Sequence, residues 1–300
     1  MQKNKHIAII TDFNDKLGSG HIQRMSSLLS YINNNTDYDI TMICKNKPHF
    51  LDDELLTKIT DDIPENPSLI IRDMRDSSIE EITLLQKHGP VLVIDDMGPG
   101  RNIADYAWDI LPNPHNGLYR KDLFLYGYSF MKDIQNIDPS MKDIDFSVYI
   151  GMKPSQKKID YLQSLLPEYS VTAYLMSEES LIFTGYNFTK LDMTPLQAMS
   201  RSHSLITHFG LTMYEGLLMN LKVFTLNPSE YHSDLCNKIL DDYKITNLGT
   251  FEKIIASAQK IITDNYEQEN NILQTTEYLH EIAQKQCKNF IKALENETCL

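Results

Sequence analysis

The run Leu17-Gly18-Ser19-Gly20-His21-Ile22-Gln23-Arg24 brings two glycines, an imidazole and a guanidinium together between an apolar strand pattern, His6–Phe13, and a helix pattern carrying Met25, Leu28, Leu29 and Ile32. The first N–H groups of a helix have no acceptor within the helix, and its dipole is positive at that end. A phosphate therefore fits such a turn, with Gly18, Ser19, Gly20 and Arg24 as its candidate contacts and His21 beside it. A tight glycine turn in which His21 caps the helix satisfies the same spacing without a ligand.

A second turn of the same kind, Phe209-Gly210-Leu211-Thr212-Met213-Tyr214-Glu215, follows the strand pattern Ser204–Phe209. Here the Gly210–Met213 backbone and the Thr212 hydroxyl could hold phosphate while Glu215 accepts hydrogen bonds from ribose hydroxyls. Thr212 followed by Glu215 is equally a capping box, which closes the helix end with no ligand. Ligands of open α/β sheets bind beyond the carboxyl ends of the strands, which also brings forward Asp73, Gly127 and the pair Asp95-Asp96. Adjacent strand carboxylates point to opposite faces, so at most one of that pair faces a ligand; Asp96 is taken as the candidate contact.

Several chemistries are disfavoured. Gly18-Ser19-Gly20 lacks the third glycine of the dinucleotide fingerprint, and no Lys-Ser/Thr follows as in a phosphate-binding P-loop. His203 and His208 are not spaced as metal ligands on a helix and read as packing or surface residues. No metal or other cofactor is called for. The net charge of −13 disfavours nucleic acid and anionic membranes as partners. No apolar run approaches the ~18 residues of a membrane span, and the N-terminus lacks a secretory core, so the chain reads as soluble and cytoplasmic. Cys44, Cys236, Cys287 and Cys299 are far apart and are expected to be free thiols.

Positioning these residues requires alternating strands and helices. Strand patterns at His6–Phe13, Asp39–Cys44, Ser68–Met74, Pro90–Asp95, Trp108–Leu111 and Leu123–Tyr126 are interleaved with helix patterns at 20–33, 51–59 and 78–88. Ile7-Ala8-Ile9-Ile10 and Val91-Leu92-Val93-Ile94 are continuously apolar, as parallel strands covered on both faces must be. A polar stretch over 132–143 has no apolar periodicity and marks a linker. The alternation then restarts with strands at Asp145–Gly151, Ser170–Met176, Ser180–Gly185, Ser204–Phe209 and Lys222–Leu226 and helices at 155–165, 194–202, 212–220 and 229–243. From Phe251 the pattern is helical, with a break near 263–265. Three hundred residues exceed one ordinary core of roughly 100–200 residues. The expected architecture is two doubly wound, Rossmann-like α/β domains, 1–140 and 141–300, with a cleft between them and the last helices able to pack back on the first domain.

In this order, the motifs resemble those of the nucleotide-sugar hydrolases of pseudaminic acid biosynthesis and the related spore-coat polysaccharide proteins. The resemblance rests on Gly18–Arg24, on Leu69-Ile70-Ile71-Arg72-Asp73, on Val93-Ile94-Asp95-Asp96 with Trp108–Asn113, on Tyr126–Phe130, and on the Ser204–Phe224 block with Tyr214-Glu215-Gly216-Leu217. It implies the GT-B fold and a UDP-sugar as partner. The second domain would hold UDP, with Glu215 on the ribose and the Gly210–Met213 turn on the pyrophosphate. His21 and Asp73 would be the catalytic residues, His21 activating water against the anomeric carbon without a metal. A glycosyltransferase of the same fold and a nucleotide-sugar-binding protein without turnover are the rival readings. The family's Asp-His-Tyr is Asp73-Met74-Arg75 here, and a usual glycine pair is Gly151-Met152.

Overall fold

A computed structural model describes residues 5–12, 20–45, 53–112, 142–151, 154–166, 172–175, 181–184, 187–190, 193–240, 245–253, 258–266 and 276–298. The chain divides into two compact units, Met1–Lys132 with His280–Leu300, and Asp133–Leu279. The expected strand at Leu123–Tyr126 and Gly18, Ser19, Gly127, Met152 and Cys299 lie outside the described residues, as does most of the polar stretch at 132–143.

In the first unit, β1 (His6–Thr11), β2 (Asp39–Ile43), β3 (Ile59–Thr60), β4 (Leu69–Asp73), β5 (Val91–Ile94) and β6 (Tyr106–Trp108) form one parallel sheet in the order β3-β2-β1-β4-β5-β6. The helices are α1 (Gly20–Asn35), α2 (Asp53–Leu56) and α3 (Ile79–Leu85), with a 3₁₀ turn at Pro99–Asn102. Strand alternation sorts the core into two layers. Ile7, Ile9, Leu69, Ile71, Leu92 and Ile94 pack with Met25, Leu28 and Leu29 of α1, whereas Ala8, Ile70, Val91 and Val93 pack with Ile82 and Leu85 of α3. Ser78 accepts the Glu81 N–H at the start of α3, a local reason for that helix to begin there.

In the second unit the strands are β7 (Ile144–Val148), β8 (Thr172–Leu175), β9 (Leu181–Thr184), β10 (Asn187–Lys190), β11 (Ser202–Thr207), β12 (Lys222–Asn227) and β13 (Ile245–Thr250). Their order is β10-β9-β8-β7-β11-β12-β13, parallel from β8 through β13, with β9 and β10 antiparallel at the edge. The helices are α4 (Gln156–Leu165), α5 (Pro195–Ser200), α6 (Leu211–Leu218), α7 (Glu230–Asn237) and α8 (Ala258–Tyr266). Phe146, Val148, Ile206, Phe224 and Leu248 build its core with Leu162 and Ile262.

The last helix, α9 (Thr276–Glu297), returns its final turns to the first unit. Cys287, Phe290, Ile291, Ala293 and Leu294 join the α1-side core, and Phe290 meets Trp108 edge to face at 5.5 Å.

Three expectations are corrected. The helix expected over 229–243 stops at Asn237, and β13 follows it. β13 is irregular, with Gly249 at φ 93° and a register shift against β12, so its hydrophobic pattern is broken by Asn247 and Gly249. The break expected near 263–265 falls inside α8, and Ile59, expected to end a helix, belongs to β3.

Candidate functional site

In each sheet the strand order reverses around a central strand, leaving a crevice beyond the carboxyl ends of two neighbours. These neighbours are β1 and β4 in the first unit and β7 and β11 in the second.

At the first crevice, Asp73 closes β4. Alternation from Leu69 and Ile71 sends its side chain to the α1 face, where it is fully buried. One helical turn of α1 supplies two partners, since His21 and Arg24 are three apart and share a face. His21 Nδ1 lies 2.8 Å from Asp73 Oδ1, and Arg24 engages both carboxylate oxygens through Nε and Nη2. The remaining Arg24 nitrogen, Nη1, donates to Asp95 Oδ2 at 2.7 Å. Asp95 Oδ1 accepts the backbone N–H groups of Ile110 and Leu111 at 2.9 and 3.0 Å. A carboxylate accepts and cannot donate, so the His21–Asp73 contact puts the imidazole proton on Nδ1 and leaves Nε2 with its lone pair bare. The Arg24 Nη2 approach to that Nδ1 at 3.3 Å is then proximity rather than a bond.

The electrostatics follow from this geometry. Burial opposes the Asp73 charge, but Arg24 and His21 outweigh it and hold the carboxyl down at about 2. Burial likewise opposes the Arg24 charge, and Asp73 and Asp95 together raise its pKa. Asp95 moves the other way: burial pushes it up, Arg24 offsets only part of that, and Asp73 adds like-charge repulsion. Two carboxylates thus share one guanidinium, with the His21 ring beside them.

Asp96, the expected contact of its pair, turns away from this cluster. It is fully buried; Oδ1 accepts the N–H groups of Ser77 and Gly98, and Oδ2 accepts from Arg72. Strict alternation would send Asp96 to the α1 face with Ile94. The structure puts Asp95 there because Asp95 sits at φ 51°, a left-handed conformation that ends the strand and exchanges the two side chains. Arg72, one residue before Asp73 and hence on the opposite face, ties Asp96 to Glu81. Gly20 opens α1 with open space where a side chain would be, so nothing packed against it demands glycine.

At the second crevice, Gly210 precedes α6 at φ 159° and ψ −171°, a region essentially restricted to glycine. Thr212 lies inside the helix rather than before it, so the Thr212–Glu215 capping box is not formed; the chain enters the helix through the glycine two residues earlier. The Thr212 hydroxyl bonds instead to the Glu215 carboxyl, which burial pushes up to about 7. Gly216 lets α6 lie on β11, since a Cβ there would come within 2.4 Å of Leu205 Cδ2. Asn227, at the end of β12, accepts the Phe209 N–H at 2.8 Å and so fixes the turn that carries Gly210.

His208, read from sequence as a packing or surface residue, lies at this crevice. Its ring edge is 3.5 Å from the point where a Gly210 Cβ would be, and it packs between Tyr149 at 5.5 Å and His232 at 6.4 Å. The signal for it was positional: it follows the last residue of a strand beside the switch point. His21, Arg24 and Asp73 are thus brought together in one unit, and Gly210, Leu211, Thr212, Met213 and Glu215 in the other. Among the described residues no group of three or more His, Cys, Asp or Glu is placed to hold a metal, and no helix is long and apolar enough to cross a membrane. Cys44, Cys236 and Cys287 are buried thiols outside any disulfide.

These two doubly wound units constitute a GT-B fold, which solved structures of that fold reproduce at low identity. A glycotransferase of kitacinnamycin superposes with a TM-score of 0.57 at 9% identity, covering 99% of this chain and 100% of that one. The S. aureus MnaA protein, solved with UDP, gives 0.56 at 11%, covering 98% and 96%, and the UDP-GlcNAc 2-epimerase of Methanocaldococcus jannaschii gives 0.50 at 9%, covering 97% and 99%. In sequence, the chain is similar to an uncharacterised protein of Methanocaldococcus jannaschii, 24% identical over 79% of this chain, and it spans 58% of that protein's length. No protein-family model matches the chain.

Proposed function

We propose that this chain is a nucleotide-sugar hydrolase that removes the nucleotide, UDP, from an activated modified amino sugar used in nonulosonic acid or surface-glycan synthesis. The observation that carries the reading is the His21–Asp73–Arg24 constellation at the first switch point, in a fold whose solved relatives include a UDP complex and enzymes named for glycosyl transfer and UDP-sugar epimerisation. In the proposed step, water attacks C1 of the sugar and its proton passes to His21 Nε2. The C1–O bond breaks, and UDP departs with the bridging oxygen. Asp73 keeps the productive tautomer and stabilises the imidazolium, a role worth about 10²–10⁴ in rate when a general base is well placed. The turn at Gly210–Met213 takes the diphosphate on the α6 N-terminus, and Glu215 takes the ribose hydroxyls.

The test is incubation with a panel of nucleotide sugars in the absence of any acceptor. Stoichiometric free sugar and UDP support the hydrolase, and His21→Asn is expected to bind UDP while losing turnover by at least 10²-fold. Release of UDP only when an acceptor is added assigns a glycosyltransferase. UDP binding with no turnover of any donor assigns a nucleotide-sugar-binding protein.

A further inference from the structure

At the second crevice sits a histidine for which the proposed hydrolysis has no use. The ladder between β7 and β11 runs on past the strand ends, Tyr149 N–H donating to Ile206 O at 2.8 Å, and this sets Tyr149 against the residue that follows β11, His208. His208 Nδ1 is 3.0 Å from the Phe209 carbonyl oxygen. A carbonyl only accepts, so Nδ1 carries the proton and Nε2 of the neutral ring is a bare lone pair, with no partner among the described residues. The Nδ1–Cε1 edge lies against Gly210, the residue from which α6 starts, and Nε2 adjoins that edge.

Among the described residues, few groups face this ring. Tyr149 comes from the end of β7 and feels the charge of Glu215 on α6. His232 comes from α7, where Ser229 Oγ holds its Nδ1 at 2.8 Å, and Tyr231 meets His232 edge to face. Lys158 of α4 is the cation that acts on His208. Burial and Lys158 hold the imidazole below its usual range against the pull of the Phe209 carbonyl, so the ring is neutral near pH 7.

A phosphoryl oxygen is also only an acceptor, and two lone pairs facing each other repel. Resting on the nucleotide-sugar reading above, we infer that His208 takes up a proton when the second unit binds a nucleoside diphosphate, its Nε2–H then donating to a phosphoryl oxygen at the α6 N-terminus. Nucleotide binding is thereby linked to one proton, and His208 is a phosphate-positioning residue separate from the base His21. Between the free and bound pKa values of His208, UDP affinity falls by up to tenfold per pH unit.

The experiment titrates the imidazole signals of histidine-labelled protein by NMR, alone, with UDP and with uridine, and measures UDP affinity across pH by calorimetry. The His208 signal is assigned by its loss in His208→Gln. If that variant does not fold, His208→Phe, which keeps a ring beside Tyr149, replaces it. The expected result is a His208 pKa at least one unit higher with UDP, unmoved by uridine, and a pH slope of affinity that shrinks in the variant. A His208 signal unmoved or lowered by bound UDP overturns the inference and leaves the nucleotide site standing. Absence of UDP binding by the wild type overturns the nucleotide-site reading and this inference with it.

Discussion

Replacing Asp73 with asparagine tests the cluster at the first crevice most directly. The carboxyl is held at about 2 against an ordinary value of 3.8. At 1.36 kcal/mol per pKa unit, the folded state favours the ionised form by about 2 kcal/mol. The group is fully buried, so little of this is lost to solvent screening. The sign follows from the lowered value: the contribution is complete above the ordinary pKa and disappears as pH falls from about 4 to about 2. Asp73→Asn is therefore expected to lose about 2–3 kcal/mol in urea unfolding at pH 7, at or below the bottom of the roughly 3–5 kcal/mol range for a broken buried pair because Asp95 still neutralises Arg24. The deficit should shrink toward zero near pH 2. Asp95→Asn is the comparator. Its pKa is raised, its Oδ1 contacts to Ile110 and Leu111 survive in the amide, and it should cost less than Asp73→Asn. On the proposed hydrolysis, turnover of a nucleotide sugar by Asp73→Asn should drop by about 10²–10⁴ relative to wild type. Equal stability of Asp73→Asn and wild type across pH 3–8, or a larger loss for Asp95→Asn, would refute the assignment of Asp73 as the principal counter-charge of Arg24.

Glu215 carries the opposite sign. Held up at about 7, it contributes stability that is complete below about 4.5 and lost as pH rises through 7, so Glu215→Gln should gain on the order of 1–3 kcal/mol over wild type at pH 8 and nothing at pH 4, while weakening UDP binding. Urea midpoints at the two pH values decide it, and parallel curves would exclude a half-buried carboxyl held up by desolvation. Phe290→Ala removes a fully buried ring from the α1-side core and should cost about 3–5 kcal/mol, measured by chemical denaturation; a loss below about 1 kcal/mol would mean the last helix is not part of that core.

The central strands were legible because nothing disturbs their pattern. Ile7–Ile10 of β1, Leu69–Ile71 of β4 and all of β5 are apolar on both faces, and the sheet buries both. The His21–Arg24 spacing and the strand-closing Asp73 were equally visible, since a helix face and a strand end follow from counting residues. What sequence could not give was the φ of Asp95. One left-handed residue exchanged the directions of Asp95 and Asp96, so that Asp95 rather than Asp96 meets Arg24. The edges were opaque for a different reason. β3 is two residues long, β10 adds an antiparallel strand of mixed polarity, and β13 owes its place partly to Asn247, whose amide bonds to Ser233 and Asn237 while its oxygen accepts from Asn227 and Gly249. Such side-chain hydrogen bonding leaves no hydrophobic period to read. His208 was passed over because its importance lies in strand order, which appears only once the β7–β11 neighbourhood is known.

The return of the final helix to the opening sheet has a consequence for biosynthesis. Ile9, Leu92 and Trp108 are translated well before Phe290 and Leu294, which share their core. At ribosomal speeds of roughly 5–20 residues per second, that apolar surface waits on the order of ten seconds or more for its lid. The first unit's sheet is thus made well before the helix that completes its core, and a nascent chain stalled before α9 offers chaperones a ready-made sticky face.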